Sequence, residues 1–462
     1  MPSPDQTPRP HALLISDRAF MRPYDGSAAI YTAWLAALRQ LGFGVTVISF
    51  NQALLRWTEA DLAALSAKAE SFLILDAYRS KTDAAFIKME RFAWAALGGR
   101  RYARHIFGRR HAEANIERVS GFLATRHFEV IVVNKTTSVR LIGSALDQLS
   151  GQKLLDIHDS LPRRASLTRS VGRQLLRSHA EVARLMKIED FGDMLSWASE
   201  DRLLREEVRQ IRGFDSILFP DADEIHAFVS AGLDPATAQV VPWPMLDAAQ
   251  LPDLKAGGGR TGEFHVGFLG SAQLFNFEAV AFLVREVLPR LRREHPDLRV
   301  LVAGSIGPSA ARMLREAHVE VVPWVEHIAG FYRKVDVIVV PLLSGTGVSV
   351  KTIEAAAHGS AIVTTPVGLR GLALRHEEDV LVAEGGESFA DSISRLLRDP
   401  ALRARLGAAA ARSVAMHHSL AAFCRATRAL LPDGYLPSQQ ANVSHGTTHR
   451  AAHPADVSGI GT

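Results

Sequence analysis

The chain has 462 residues, of which 47% are hydrophobic and 22% charged, with a formal net charge of +4 and a pI near 9.3. That length suits two domains and that composition a soluble globular protein, while so small a net charge gives no argument for nucleic-acid binding. A single cysteine, Cys424, excludes an internal disulfide and a cysteine-based metal cluster, and no apolar run is long enough for a membrane span.

Residues 1–10, MPSPDQTPRP, read as a loose polar arm without the apolar stretch of a signal peptide, so a cytoplasmic protein is expected, with any membrane contact peripheral. His11–Ser16 is the first strand, Asp25–Ser27 a turn, Ala28–Leu41 an apolar-periodic helix closed by Gly42, and Val45–Phe50 a second strand, together an ordinary βαβ unit. Further strands are expected at Phe72–Asp76, Val130–Asn134, Leu154–His158 and Ser216–Phe219. Gly99–His111 (GRRYARHIFGRRH) mixes basic and aromatic residues. It is a candidate surface for anionic lipid headgroups, set against the plainer reading of a solvated basic helix end. Asp221 followed by Glu224 reads as a helix cap rather than a metal site.

Asp253–Glu263 (DLKAGGGRTGE) is a linker by its consecutive glycines and lack of periodicity. A second alternation follows, with strands expected at Phe264–Leu269, Leu298–Ala303, Val319–Val322, Val335–Pro341, Ala361–Thr364 and Val380–Val382, and helices such as Asn276–Glu294 and Ser388–Arg398 between them. This predicts an α/β protein of two doubly wound parallel sheets, residues 11–252 and 264–418, with a last helix at 419–431 and a ligand cleft between the sheets. Pro432–Thr462 reads as a disordered tail. Its His445, His449 and His453 are spaced for a metal only if helical, which that composition disfavours.

The most informative stretch is Pro341–Gly371, PLLSGTGVSVKTIEAAAHGSAIVTTPVGLRG. A buried strand leads into a loop with Gly345 and Gly347, then a helix expected over Val348–His358 and ended by Gly359, then a second apolar strand. The first N–H groups of such a helix lack internal partners and can receive an anion. Lys351 adds a cation, and Glu354, on the same face, can accept hydrogen bonds from sugar hydroxyls. A diphosphate followed by a ribose matches that order of groups.

These residues, with Phe268–Asn276 (FLGSAQLFN), Val302–Gly304, Pro323–Val325, Ala329–Tyr332 and Asp399–Pro400, resemble retaining glycosyltransferases of the GT-B fold, specifically family 4 (glycosyl transferases group 1), from about His265 to Arg412. The resemblance implies two Rossmann-like domains facing across a cleft, the N-terminal one for the acceptor and the C-terminal one for a nucleotide-diphosphate sugar. A final helix would return to the N-terminal domain. It also implies a metal-independent hexosyl transfer to a saccharide or lipid-linked acceptor, with no cofactor beyond the donor substrate, in polysaccharide or glycolipid biosynthesis. By resemblance, Glu354 binds the ribose, Gly345–Gly347 approach the diphosphate and sugar, Gly270 and Ser271 follow the first donor-domain strand, and Trp324 and Val325 lie where the base is held. Gly26 and Ser27 occupy the first βα loop, where backbone commonly approaches the donor. Asp156–Arg164 (DIHDSLPRR) resembles a strand-end motif of one branch, which makes His158 and Asp159 the candidates for orienting the acceptor and taking up its proton, with a plain turn cap as the alternative.

Two departures stand out. Thr346 occupies the position where the family often has a second glutamate, and Gly270–Glu278 lacks the Arg and Lys that many members place there. They favour, as the alternative function, a catalytically silent GT-B protein that binds sugar nucleotides or acts as a scaffold. An epimerase on the same fold has no distinctive residues here, and a dinucleotide fingerprint is absent.

Overall fold

The computed structural model describes residues 9–22, 26–52, 55–77, 109–186, 190, 194, 199–244, 261–325 and 327–431. Most of the basic segment Gly99–His111, most of the glycine linker and the whole histidine-bearing tail lie outside the described residues.

The strands are β1 (His11–Ile15), β2 (Gly44–Asn51), β3 (Ser71–Asp76), β4 (Val130–Asn134), β5 (Gln152–Asp156), β6 (Ser216–Phe219), β7 (Ala238–Val240), β8 (Phe264–Leu269), β9 (Val300–Ala303), β10 (Glu320–Val322), β11 (Val335–Val340), β12 (Ala361–Thr364) and β13 (Leu381–Val382). They form two parallel sheets, ordered β3-β2-β1-β4-β5-β6-β7 and β10-β9-β8-β11-β12-β13. Both orders reverse direction beside the first strand of their sheet, between β1 and β4 and between β8 and β11, and the crevice at that reversal is where doubly wound sheets bind ligands.

The β-branched runs form strands because both faces are covered: every residue of β4, β9 and β12 is buried. Along β1, Leu13 and Ile15 join one hydrophobic cluster with Val119 and Phe128, while Ala12 and Leu14 join the opposite one with Trp34 and Phe43. Of the described strands only β7 escapes the sequence expectation. It is a three-residue edge strand, AQV, largely exposed and without an apolar run.

The helix expected over Asn276–Glu294 is α-helical at Leu274–Phe282 and Leu288–Glu294 but passes through a π turn at Leu283–Val287. Pro289 lacks the N–H that a continuous ladder would use, so the break falls just before it. The last helix, Leu420–Leu430, packs on the N-terminal domain. Phe423 stacks edge-on to Trp34 at 4.9 Å, and Gln152 donates to the Leu430 carbonyl at 2.8 Å. Just before it, the His418 ring joins the domains: Nδ1 lies 2.9 Å from the Trp243 carbonyl and Nε2 accepts the Ala373 N–H at 3.1 Å. Burial, followed by the neighbouring His417 charge, lowers its pKa against the opposing pull of the Trp243 carbonyl. The ring is thus neutral, with its proton on Nδ1.

Helix Pro400–His417 supports the glycine-loop helix Val350–Ala357 from behind, and its Gly407 lies against the turn that ends that helix. A Cβ on Gly407 would run into the Gly359 carbonyl oxygen. In an open helix Gly→Ala stabilises, but here the backbone contact decides the sign. Gly407→Ala should lower stability by about 1–3 kcal/mol, read as a fall in melting temperature. An unchanged or higher value would show that the two segments part freely.

Candidate functional site

The loop after β11 and the end of β5 meet across the domain boundary. Gly347 has φ +65°, and a Cβ there would stand 2.5 Å from the main-chain oxygen of His158. Both conditions require glycine. Gly345 is under no such demand, since a Cβ there would meet only Val367, at 3.7 Å. The helix begins at Val350, two residues later than its sequence pattern suggests. Ser349 flanks it, but the Ser349 side chain makes no cap bond to its N–H groups. The Thr352 hydroxyl donates to the Gly368 carbonyl at 2.7 Å, so the Ser349 hydroxyl, 2.9 Å away, is left to donate to Thr352.

Lys351 and Glu354 lie on this helix, partly buried. Burial pulls the Lys351 pKa from 10.5 to about 8, against the favourable Glu354 charge. Burial likewise pushes Glu354 from 4.5 to about 6, against Lys351 and the Tyr332 hydroxyl. Tyr332, on helix Ile328–Lys334, donates to Glu354 Oε2 at 3.5 Å and stacks on His358 at 4.6 Å. Among the described residues Lys351 makes no ion pair or hydrogen bond. A cation and a carboxylate on one face, both desolvated and weakly satisfied, are groups with bonding capacity to spare.

Gly270 and Ser271 follow β8 on the same carboxyl edge. Gly304 packs so closely on the Gly270 carbonyl that it carries no side chain, and Asn276 holds Ser271 through its carbonyl at 2.9 Å. Trp324, just past β10, is 81% exposed, and Val325 is partly buried. Gly26 and Ser27 are not in a loop: they are the first residues of helix Gly26–Gln40.

On the N-terminal side, β5 ends at Asp156 and not at His158. His158 is only 4% exposed, with Nε2 3.3 Å from Asn134 Oδ1. Burial, with Lys135 and Arg18 nearby, drives its pKa well below the ordinary value. A ring held this way is a poor proton acceptor, so burial works against the share of proton uptake that residue type suggested for His158. Asp159 accepts from the Thr346 hydroxyl at 3.3 Å across the boundary and pairs with Arg164 at 3.5 Å. Deeper in, Asp156 accepts the Trp34 indole N–H at 2.6 Å, and burial raises its pKa to about 7 against the pull of Trp34 and Lys135. Burial also raises Glu207 to about 7; its Oε1 accepts from the Thr136 hydroxyl. Asp17 behaves oppositely. Burial works against its charge, but Lys135, Arg18 and the Tyr31 and Thr137 hydroxyls outweigh it and lower the pKa.

Asp221 caps helix Ala222–Ser230, its Oδ1 accepting the Glu224 N–H at 3.0 Å. The capping pattern does not close reciprocally, because the Glu224 side chain reaches Gly347 instead, accepting its N–H at 3.1 Å. Arg370 donates to the Gly345 carbonyl at 2.8 Å, and Ser344 bonds Glu278 at 3.3 Å. Sequence spacing did not mark Tyr332, Glu224, Glu278 or Arg370 as site residues, since each reaches the site only through the fold. A cleft of about 590 Å³ opens beside the loop, lined by Pro220, Asp221, Val240, Pro242, Arg370 and His418 among others. Among the described residues no group of three or more His, Cys, Asp or Glu side chains is placed to hold a metal, and no helix is long and apolar enough to cross a membrane.

Residues 263–399 match the family model described as "Glycosyl transferases group 1". The whole architecture matches sucrose-phosphate synthase from Thermosynechococcus elongatus with a TM-score of 0.61 over 91% of this chain and 98% of that one, at 17% identity. The chain has the GT-B fold. A second GT-B neighbour, the Anabaena protein HepE solved with UDP and glucose, gives a TM-score of 0.56 at 11% identity over 91% of this chain and 98% of that one. Among curated proteins, an uncharacterized 44.6 kDa protein in the cps region of Klebsiella pneumoniae is 24% identical over 127 residues, 26% of this chain. The match spans 33% of that relative's length.

The buried acids set a pH dependence. Asp156, Glu207, Glu224 and Glu354 all have folded pKa values above their ordinary ones, so between those values the folded state binds more protons and stability falls as pH rises. Lys351 acts above them: between about 8 and its ordinary 10.5 the unfolded chain holds more protons, and stability rises with pH. In the same range burial lowers the pKa of His158, His179 and His418, and these groups make stability rise with pH below their ordinary 6.5. Removing one acid isolates its part: from about pH 5 to about pH 7.5 the melting temperature of Glu354→Gln should rise relative to that of the parent. A difference that stays level or falls through this window would contradict the assignment.

Proposed function

We propose that the protein is a retaining, metal-independent glycosyltransferase that moves a hexose from a nucleotide-diphosphate sugar to a saccharide or lipid-linked acceptor in polysaccharide or glycolipid biosynthesis. The observation that carries this reading is the desolvated Lys351–Glu354 face, one turn into a helix whose first N–H groups its own cap leaves free. The diphosphate sits on those N–H groups with Lys351 as counter-charge, and Glu354, steadied by Tyr332, accepts the ribose hydroxyls. As the bond to the anomeric carbon breaks, the same N–H groups and cation stabilise the leaving charge. Thr346 and neighbouring backbone N–H groups read the sugar. Asp159 orients the acceptor hydroxyl and takes up its proton, while His158 stays neutral and acts as a hydrogen-bonding wall. The acceptor enters beside the loop, where carboxylates and proline faces suit a hydroxyl-bearing ring. The family match over the donor half, the UDP-bound GT-B neighbour and the cps-region relative support this reading.

A second reading is a catalytically silent sugar-nucleotide binder or scaffold. It is favoured by Thr346 and Gly347, whose donors are already engaged by Asp159 and Glu224.

A panel of nucleotide sugars, scored by thermal shift and by release of nucleoside diphosphate with saccharide acceptors, separates the two. Binding with turnover is expected, and binding without turnover across the panel would establish the silent protein. Glu354→Ala should abolish the ligand-induced shift while the free protein melts no lower than the parent; retained affinity would sink the ribose assignment. Contact of Gly99–His111 with anionic membrane belongs to the same reading, and sedimentation with anionic liposomes at low salt should detect it. No binding there would remove it.

A further inference from the structure

Three consecutive residues of the glycine loop are each held from outside the loop. Arg370 takes the Gly345 carbonyl, Asp159 takes the Thr346 hydroxyl and Glu224 takes the Gly347 N–H. The last two holders belong to the N-terminal domain. Glu224 differs from Asp159 in its surroundings, being 1% exposed. Its Oε1 makes the bond to Gly347, while Oε2 is cut off from solvent and has no partner among the described residues. Oδ2 of Asp221, which caps the same helix, is also buried without a partner among the described residues.

Such a group is poor value for folding. A buried carboxyl with one hydrogen bond and one empty oxygen costs more than an apolar side chain of the same size. Burial raises its pKa to about 7; Asp221 and Asp159 push the same way, and the Gly347 N–H and Arg370 oppose. What the carboxyl does accomplish is specific. It fixes an N–H in a loop whose φ is left-handed and whose next residues open the helix bearing Lys351 and Glu354. It does so from the other domain, so the bond exists only while the domains are closed on each other.

We propose that Glu224 is a positioning residue, the N-terminal-domain carboxyl that holds the Gly347 N–H and thereby keeps the glycine loop in the shape that accepts the nucleotide-sugar diphosphate when the cleft is closed. The inference rests on the donor-site reading above for its ligand, but not for the contact itself. Glu224 does not touch the reacting atoms. It acts through Gly347, and it makes the shape of a donor-domain loop depend on the neighbouring domain.

The test compares the full-length parent with Glu224→Ala and Glu224→Gln, in two arms. Without ligand, hydrogen exchange is followed in the peptide covering residues 345–350. With ligand, the affinities for UDP-glucose, GDP-glucose and ADP-glucose are measured by calorimetry from pH 5.5 to 8.5. Glu224→Ala should speed loop exchange and weaken the tightest sugar nucleotide by about tenfold each, while Glu224→Gln, whose amide oxygen still accepts from Gly347, stays within about threefold. Neither variant should melt below the parent, which separates positioning from a merely structural role. The parent's affinity should fall as pH rises through about 7, where a carboxylate forms near a bound anion, and again near 8 as Lys351 loses its charge; Glu224→Gln should remove the first step and keep the second. Unchanged loop exchange in Glu224→Ala overturns the proposal, as does a loosened loop with undiminished affinity. A parent that binds none of the three sugars overturns the donor-site reading and the affinity claim with it. The exchange arm then decides the holding of Gly347 on its own.

Discussion

Two main chains meet at Gly347, and the rest of the site depends on that approach. The His158 carbonyl lies where a side chain would be, so the position admits only glycine, and the left-handed φ of the loop admits it for the same reason. With no side chain between them, the end of β5 and the loop after β11 lie close enough for Asp159 and Glu224 to reach across. The boundary between the domains thus runs through the anion-binding loop itself. In doubly wound sheets, ligands gather at the carboxyl ends of strands. Here two such edges face each other, and the loop of one is shaped by side chains of the other.

The chemistry of the edge is bought at the expense of stability. Lys351, Glu354, Asp156, Glu207 and Glu224 all sit with pKa values shifted toward their neutral forms by burial, the direction that signals a poorly solvated charge. An apolar core would serve the fold better. Glu224 bonds across the domain boundary and Lys351 and Glu354 lie on the helix that follows the loop it holds, so folding and function want different residues there.

The legible and illegible parts divide by sequence distance. Strands such as β4, β9 and β12 could be read because burial on both faces leaves an unbroken apolar run, whereas the exposed edge strand β7 leaves none. The glycine loop, Lys351 and Glu354 could be read because a local chain segment builds them. The contacts that complete the site do not lie in any local segment: Glu224 is 123 residues from Gly347, and Asp159 is 187 from Thr346. His158 shows a second limit. Its place near a strand end was readable to within two residues, but its protonation depends on packing against Tyr31 and Trp243, which only the fold supplies. Gly26 and Ser27 show a third, because a turn signal at a helix start does not say on which side of the boundary the residues fall.

The join at His418 adds a property of another kind. Its ring links a carbonyl before the linker to an amide of the donor domain while carrying no charge, and the links at Gly347 and Thr346 are likewise not pairs of opposite formal charges. Dissolved ions screen attraction between charges but leave hydrogen bonds of this sort largely untouched. These links are therefore little affected by ionic strength, whereas the pull of Lys351 on a diphosphate weakens as salt rises. Added salt would loosen the ligand's hold before it loosened these links.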